Sequence, residues 1–89
     1  MATDHVHDIR KLVGSPKLVI GTERTLREMK LGRLKTVFLS ANCPRQVRQD
    51  IAYYRKISPV DVVVLQQPND ELGNVCKKPF AVSVLSVLQ

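Results

Sequence analysis

Hydrophobic positions along the chain follow two different periods, and together they predict four helices alternating with four strands. Helical spacing of apolar residues, three or four apart, covers residues 5–13, 23–31, 44–57 and a short segment ending at 76. Continuous apolar runs, typical of buried strands, cover residues 17–20, 36–40, 60–65 and 81–88. The order αβαβαβαβ predicts one domain of the α/β class, a three-layer α/β/α sandwich around a four-stranded mixed sheet.

Glycine, proline and small polar residues indicate where these elements end. Gly14-Ser15-Pro16 separates the first helix from the first strand, and Gly32 ends the second helix. Thr22 is suited to cap the second helix, and Asn69 or Asp70 the fourth, because each carries a side-chain oxygen that can accept from a free backbone N–H.

The longest helix and the strand after it carry the clearest burial pattern. Four residues near one stripe predict the face that meets the core: Val47, Ile51, Tyr54 and Ile57. Tyr53 points another way, so one tyrosine of the pair is expected in the core and the other at the surface. Residues 60–65 are rich in β-branched side chains, which predicts a central strand.

Charge narrows the class of partner. The chain has 89 residues, 44% of them hydrophobic, a net charge of +6 and a pI of about 9.8. Residues 17–35 contain six basic and two acidic side chains, a surplus of four positive charges. A folded surface of this charge favours a polyanion, most simply RNA or DNA. The alternative is a basic surface that serves only solubility.

Several other classes are disfavoured. Cys43 and Cys76 lack Cys-x-x-Cys spacing, so no zinc or redox motif is expected. Reduced thiols in a cytoplasmic protein are the simpler interpretation, and a disulfide between the two cysteines is the alternative. The polar start of the chain shows no secretory signal, and no apolar run is long enough to span a membrane.

The sequence also shows no catalytic constellation. His5 and His7 stand near the amino terminus and are expected to be solvent-exposed. Neither the Walker pattern nor the dinucleotide fingerprint is present. We therefore expect no enzyme activity, no small-molecule substrate, no cofactor and no metal.

Asn42 stands where the second strand passes into the third helix, directly before Cys43 and Pro44. Its amide carries both donors and an acceptor, as a side chain that reads a base edge requires. The same position suits a helix N-cap. Spacing alone leaves the two roles open.

Two further junctions have compatible chemistry. Gly21-Thr22-Glu23-Arg24 opens a helix whose N–H groups suit a phosphate, and Arg27 follows Arg24 by one turn. Lys77-Lys78-Pro79-Phe80 precedes the fourth strand and combines phosphate attraction with an aromatic ring that can stack on a base. The alternatives are an ordinary glycine turn and, for Phe80, burial beneath the adjacent helix.

The motifs, taken in order, resemble a known family. They are V-I-G-T-E-R-T, K-T-V-F-L-S-A-N-C-P, D-I-A-Y-Y, N-D-E-L-G and P-F-A-V-S-V-L-S-V-L. They are similar to the large-subunit ribosomal protein family "L thirty e" of archaea and eukaryotes, within the "L seven A e" superfamily, over residues 9–88. The resemblance implies the same α/β/α fold and binding of ribosomal RNA at a kink-turn or purine-rich internal loop, beside neighbouring ribosomal proteins.

The resemblance also implies roles for particular residues. Gly21 would allow close approach of RNA, Asn42 would read a purine, and Phe80 and Val82 would pack on an unstacked nucleotide. Arg24, Arg27 and Lys78 would hold phosphates. Thr22 would lie with Arg24 and Arg27 on the helix start that meets the RNA.

Two residues depart from the family pattern. Glu23 stands where the family usually carries a basic residue, and it is suited either to bond a guanine edge or to cap the helix start. Lys77 stands where the family commonly has glycine, so a positive φ there would strain the chain.

Three functions remain compatible with the sequence. The first is a structural protein of the large ribosomal subunit, located in the cytoplasm. The second is a kink-turn adaptor of guide RNA or ribonuclease P particles. The third is a protein-interaction module or small enzyme on the same fold, which would bind RNA weakly.

Overall fold

The computed structural model describes residues 5–89, and the helices and strands alternate in the predicted order. The helices are α1 (His5–Leu12), α2 (Thr22–Lys30), α3 (Arg45–Ile57) and α4 (Asn69–Val75). The strands are β1 (Leu18–Ile20), β2 (Leu34–Leu39), β3 (Asp61–Val64) and β4 (Val84–Leu88). The fourth strand begins later than predicted because Val82 donates its N–H to the Asn69 carbonyl at the start of α4.

The four strands form one mixed sheet in the order β1-β4-β2-β3. Strand β4 is antiparallel to both β1 and β2, whereas β2 and β3 are parallel. Strands β1, β2 and β3 therefore point the same way. Their carboxyl ends and the start of β4 lie at the same edge of the sheet.

The prediction that residues 60–65 form a central strand is wrong. Strand β3 lies at the end of the sheet, and β4 occupies the centre, where Val84, Leu85 and Ser86 are fully buried. Because β4 inserts between β1 and β2, it displaces β3 outward. The β-branched run is consequently only half-buried, and Val64 is 57% exposed.

Two apolar clusters, one on each face of the sheet, confirm the three-layer sandwich. The cluster beneath α1 and α4 contains Ile9, Phe38, Leu65, Leu72, Val75, Cys76, Val82 and Leu85. The cluster beneath α2 and α3 contains Met29, Leu34, Val37, Leu39, Cys43, Ile51 and Val84. Side chains of β2 alternate between the two clusters, as the pleat of a strand covered on both faces requires.

The two cysteines belong to different clusters. Cys43 lies in the cluster under α2 and α3, and Cys76 in the cluster under α1 and α4. Both are free thiols, and the sheet between them prevents an intramolecular disulfide. Burial raises the pKa of both thiols, and it outweighs the opposing charges of Arg48 at Cys43 and Lys78 at Cys76.

The face that α3 turns to the core is the predicted one except at its last residue. Ile51 is buried, Tyr54 is partly buried, and Tyr53 is 61% exposed, which confirms the expected division of the tyrosines. Ile57, however, is 68% exposed. At 3.6 residues per turn it lies about 120° around the helix from Ile51, away from the buried stripe.

The amino-terminal histidines differ from each other. The His5 ring lies 5.7 Å from the Phe38 ring, centroid to centroid, so His5 is partly buried and its predicted full exposure is wrong. The first turn of α1 packs on the sheet, which accounts for this contact. His7 is exposed, as expected.

Helix α2 begins and ends at glycines. Gly21 is the N-cap, and no side chain bonds the first turn, so the prediction that Thr22 caps the helix is wrong. Thr22 is itself the first helical residue. At the other end Gly32 has φ 69° and donates its N–H to Met29, which confirms it as the residue that ends the helix.

Gly73 lets the loop before β4 lie directly against α4. A Cβ added at this glycine would overlap the Phe80 carbonyl oxygen and come within 3.4 Å of the Ala81 Cα. These are backbone atoms, so they cannot move aside as a flexible side chain would. Gly73 therefore fixes the position of the segment that carries Phe80.

We predict that Gly73→Ala lowers the free energy of unfolding by about 1–3 kcal/mol, because the methyl group forces the loop away from α4. Urea unfolding followed by circular dichroism measures this change. The neighbouring variant Asn74→Ala, on the exposed face of the same helix, is the control and should change stability by under about 0.5 kcal/mol. Equal stabilities of the two variants would contradict the steric argument.

Candidate nucleic-acid interface

The three junctions predicted from the sequence meet at one edge of the sheet, joined by a fourth segment. We call this region the loop edge; it comprises residues 21–24, 40–44, 65–69 and 76–83. Backbone hydrogen bonds connect the segments: Gly21 donates its N–H to the Val84 carbonyl at 2.9 Å, and Ser40 to the Ser83 carbonyl at 2.9 Å. The segments therefore form one continuous surface.

Asn42 is exposed at the centre of this surface, and its amide spans two elements. Its Oδ1 accepts from the Asn69 backbone N–H at 2.8 Å, and its Nδ2 donates to the Asn69 Oδ1 at 3.2 Å. Asn69 is the first residue of α4, so Asn42 satisfies an N–H that the helix itself leaves unpaired.

Asn42 therefore caps a helix, but not the one that follows it in sequence. The N-cap of α3 is Pro44, and no side chain bonds its first turn. Asn42 reaches α4 instead because the carboxyl ends of the parallel strands β2 and β3 lie side by side. Pro68 holds the N-cap position of α4, so neither Asn69 nor Asp70 is its N-cap, although the Asp70 carboxylate accepts from the Glu71 N–H in the first turn at 2.8 Å.

Asn69 extends the polar connection to the loop before β4. Its Nδ2 donates to the Ser83 Oγ at 3.2 Å, and its carbonyl accepts from the Val82 N–H at 2.9 Å. Neither Asn69 nor Ser83 was predicted as a site residue. The parallel order of β2 and β3 would have pointed to Asn69, because residues that follow neighbouring parallel strands meet. Ser83 could not be predicted from the sequence, because only the tertiary structure places it next to Asn69.

Part of the Asn42 amide remains available to a ligand. A primary amide has two N–H donors and two acceptor lone pairs. The contacts with Asn69 use one donor and one lone pair. One N–H and one lone pair are left on an amide whose orientation is fixed by α4. Each of them can make one hydrogen bond to a base.

Gly21 shapes the start of α2. Its φ of 114° and ψ of 152° lie in a region that only glycine adopts readily. A Cβ there would meet nothing within 4 Å, so the surface above it is open to a ligand. Thr22 beside it is half-buried, whereas Glu23, Arg24 and Arg27 are exposed.

A groove of about 760 Å³ lies beside these residues. Its apolar wall is formed by Leu18, Ile20 and Cys76. Its exposed rim is formed by Arg24, Lys77, Lys78 and Phe80. The structure thus brings Arg24 to the two lysines, while Arg27 lies one turn further along α2 and does not line the groove.

Phe80 and Val82, two residues apart, have opposite environments. Phe80 is 56% exposed at the groove, so the alternative of burial beneath a helix is wrong. Val82 is 3% exposed and belongs to the apolar cluster under α1 and α4. The prediction that its side chain packs on a nucleotide is therefore corrected, since that side chain fills the core below the loop.

Lys77 adopts the strained conformation that its position in the sequence suggested. Its φ is 58°, the only positive φ at a non-glycine residue among residues 5–89. The reason is the end of α4: Lys77 donates to the Asn74 carbonyl at 3.1 Å, and Lys78 to the Gly73 carbonyl at 2.9 Å. This pair of bonds requires a left-handed residue after the helix, a conformation that glycine adopts most readily.

Within residues 5–89 the positive charges at the groove have no acidic partner. Among the described residues, the single ion pair within 4.0 Å joins Arg33 to Glu28, at the far end of α2. Arg24, Lys77 and Lys78 have no carboxylate partner in this part of the chain. The groove therefore presents three unpaired cations beside an aromatic ring and an apolar wall, which suits a phosphate and an unstacked base.

Residues 5–89 provide neither a membrane span nor a metal cluster. None of the helices in this range is long and apolar enough to cross a bilayer. The same range holds no group of three or more His, Cys, Asp or Glu side chains placed to bind a metal ion.

Comparison with known proteins gives consistent results. Residues 5–89 match the ribosomal protein L7Ae/L30e/S12e/Gadd45 family. The chain is 39% identical over 80 residues to the large ribosomal subunit protein eL30 of Methanopyrus kandleri, covering 90% of this chain and 73% of that protein. It is 41% identical over 81 residues to the eL30 of Methanococcus vannielii, covering 91% and 77%.

Two solved structures share the fold at low identity. The Giardia lamblia 15.5kD RNA binding protein matches with a TM-score of 0.81 and 15% identity, covering 100% of this chain and 78% of that chain. A protein of unknown function from Bacillus halodurans matches with a TM-score of 0.85 and 16% identity, covering 99% and 87%.

These findings define first a class and then a family. The α/β/α sandwich with its loops gathered at one sheet edge is the fold of small proteins such as the Giardia lamblia protein. The chain belongs to the ribosomal protein L7Ae/L30e/S12e/Gadd45 family, and its curated relatives are archaeal eL30 proteins. The resemblance to "L thirty e" is confirmed.

We predict that Lys77→Gly raises the free energy of unfolding by about 0.5–1.5 kcal/mol, because glycine adopts a φ of 58° without the clash of a Cβ. Chemical denaturation measures the gain. Lys78→Gly removes the same charge at a neighbouring position without a positive φ, and it should not stabilise the protein. A loss of stability in Lys77→Gly would show that the lysine side chain is favourable where it stands.

Proposed function

We propose that this chain is a structural component of the large ribosomal subunit and binds ribosomal RNA with its loop edge, at a kink-turn or purine-rich internal loop. The names of the curated relatives, large ribosomal subunit protein eL30, support the ribosomal role. The observation that carries the RNA contact is Asn42, which is held by α4, keeps one donor and one acceptor unused, and shares the loop edge with Arg24, Lys77 and Lys78 of the basic groove.

In this proposal Asn42 reads the RNA. A purine in a sheared or bulged position exposes hydrogen-bonding groups at its edge, and the remaining N–H or lone pair of Asn42 bonds one of them. The two bonds to Asn69 fix the amide before RNA arrives, so binding orders little of this side chain.

The groove takes the flanking nucleotide. Phe80 stacks on an unpaired base, and Arg24, Lys77 and Lys78 hold phosphates around it. Arg27, outside the groove, contacts the backbone further along the RNA. The role is structural, so the chain catalyses nothing, uses no cofactor and has neighbouring ribosomal proteins as its other partners, in the cytoplasm.

The start of α2 approaches the RNA most closely. Gly21 has open space above it and lets the nucleic acid come near the backbone N–H groups of the helix start. Thr22 lies at that start. Glu23 is exposed and does not cap the helix. In this proposal its carboxylate accepts hydrogen bonds from the N–H groups of a guanine.

Sedimentation and crosslinking test the proposal together. Tagged protein is expressed in an archaeal host, and large subunits are separated in a high-salt gradient. Co-sedimentation, with crosslinks to ribosomal RNA, is the expected result. Recovery in the free pool with guide RNA or ribonuclease P RNA attached would replace the ribosomal role with that of a kink-turn adaptor. Recovery without any RNA would contradict both.

We predict that Asn42→Ala weakens binding to a kink-turn RNA by about 1–3 kcal/mol, the size of one good base contact. The variant also loses the cap of α4, so affinity must be expressed per folded molecule, from anisotropy titrations with the active fraction determined. Asn42→Asp retains an acceptor for the Asn69 N–H but loses the exposed donor. It should keep more stability than Asn42→Ala and still bind RNA poorly.

An unchanged affinity per folded molecule in Asn42→Ala would assign this residue to the cap of α4 alone. A duplex of the same length without the internal loop serves as the control RNA, and both variants should bind it as the natural protein does.

We predict that Arg24→Ala weakens RNA binding less than Asn42→Ala and reduces the slope of log K against log salt by about 0.7–0.9, the value for one phosphate contact. Titrations at several salt concentrations give the slope. Lys35→Ala, an equally exposed cation at the opposite end of β2, is the control and should leave the slope unchanged. Equal slopes in both variants would remove Arg24 from the interface.

A further inference from the structure

Strand β3 has a free edge. Among residues 5–89 no strand pairs with it on the side away from β2. Leu65 donates its N–H to the Leu39 carbonyl of β2 at 2.8 Å. Backbone groups alternate in direction along a strand, so those of Val62 and Val64 point outward, away from the sheet. Two N–H groups and two carbonyls are thus presented at strand spacing.

The α3 side of this edge has a small, mostly apolar groove of about 340 Å³. Leu39, Ile51 and Val62 contribute its apolar wall. Its charged side chains are all basic: Arg48, Arg55 and Lys56. The edge therefore combines backbone pairing groups with an apolar slot and positive charge.

The cations of this groove are held in place without an anionic partner. Arg48 donates from Nη2 to the Ala41 carbonyl at 3.1 Å, and Arg55 donates from Nε to the Val60 carbonyl at 3.1 Å. Within the described chain neither arginine, nor Lys56, has a carboxylate within 4.0 Å. Their charge is available to an external carboxylate.

The opposite face of the same edge has different chemistry. A groove of about 430 Å³ on the α1 side is lined by Asp8, Thr36 and Asp61 together with Arg55. Its charges are of both signs. Alternate side chains of an added strand would face these two grooves in turn, so the edge can discriminate between sequences.

We propose that the β3 edge binds an extended segment of a protein partner as a fifth strand, with an apolar side chain in the α3-side groove and carboxylates on both sides of it. The spacing fits. Arg48 and Lys56 are eight residues apart on α3, about 12 Å. Two carboxylates flanking one apolar residue on the same strand face are four residues apart, about 13 Å.

A protein strand accounts for this surface better than RNA does. Nucleic acid has no backbone amide groups to pair with the outward N–H and carbonyl groups of Val62 and Val64. It also has no apolar side chain to place in the groove beside them. The surface runs along the side of the sheet. The inference is therefore independent of the proposed RNA function at the loop edge.

A designed peptide tests the site directly. The probe is an acetylated, amidated heptapeptide with threonine at odd positions, glutamate at positions two and six, and valine at position four. It is titrated into the ¹⁵N-labelled protein, and the expected result is a shift of the Val62 and Val64 amide signals that exceeds the shift of Val63. A peptide with lysine in place of both glutamates should bind at least about tenfold more weakly.

Matched variants assign the contacts. Val64→Pro removes an outward N–H without removing a bond to β2, so it should lower the affinity for the glutamate peptide at least about tenfold. Val64→Thr keeps the N–H and the branched shape, so it should bind like the natural protein. Arg48→Gln and Lys56→Gln should each weaken binding of the glutamate peptide and strengthen binding of the lysine peptide, because each removes one positive charge. The Val64 variants and Lys56→Gln should retain their affinity for kink-turn RNA; Arg48→Gln is not used for this comparison, because Arg48 bonds the Ala41 carbonyl next to Asn42.

Three outcomes would overturn the proposal. The first is that the peptide shifts the amide signals of Asn42 and Arg24 instead of those of β3. The second is equal binding of the glutamate and lysine peptides. The third is that an RNA duplex, but not the peptide, shifts the amide signals of Arg48 and Lys56. The shift map of the natural protein decides the question even if Val64→Pro fails to fold. A concentration-dependent dimer without peptide binding would assign the edge to a second copy of the chain and would also overturn it.

Discussion

The antiparallel pairing of β4 on both of its sides is the interaction on which the rest of the molecule depends. Strand β4 joins β1 to β2, which make no contact with each other in the sheet. Because it runs opposite to its neighbours, β1, β2 and β3 all end at the loop edge. The residues that follow each strand are thereby brought together without any long connection. Ser86, buried in β4 and hydrogen-bonded to Thr25 of α2 at 3.0 Å, also fixes the helix start that carries Arg24.

The order and type of the elements could be predicted because they depend on local patterns. Apolar periodicity identified all the helices and strands, and glycine and proline identified most boundaries. The position of β3 could not be predicted from its β-branched residues, since strand order is decided by where β4 inserts. Ile57 is apolar and near the end of the helix, but it lies about 120° around α3 from Ile51 and therefore outside the buried stripe.

The candidate site was predictable at the level of segments and less so at the level of side chains. Asn42, Gly21 and the lysine pair were found because their chemistry is unusual at an element boundary. What Asn42 bonds to was missed, because its partner Asn69 lies 27 residues away in the chain. Phe80 and Val82 illustrate the same limit, since the contact of the Phe80 backbone with Gly73 and the bond from Val82 to Asn69, which hold this loop, link residues that are distant in sequence.

The bonds between Asn42 and Asn69 also couple recognition to the integrity of the fold. If RNA engages the exposed half of the Asn42 amide, the complex holds together the end of β2, the start of α4 and the loop that precedes β4. Opening of any one of these segments then requires release of the ligand. The backbone N–H of Asn69, bonded to Asn42 Oδ1 at 2.8 Å, becomes a natural reporter of occupancy. Its hydrogen-exchange rate would follow the bound fraction of the protein rather than the helix propensity of α4.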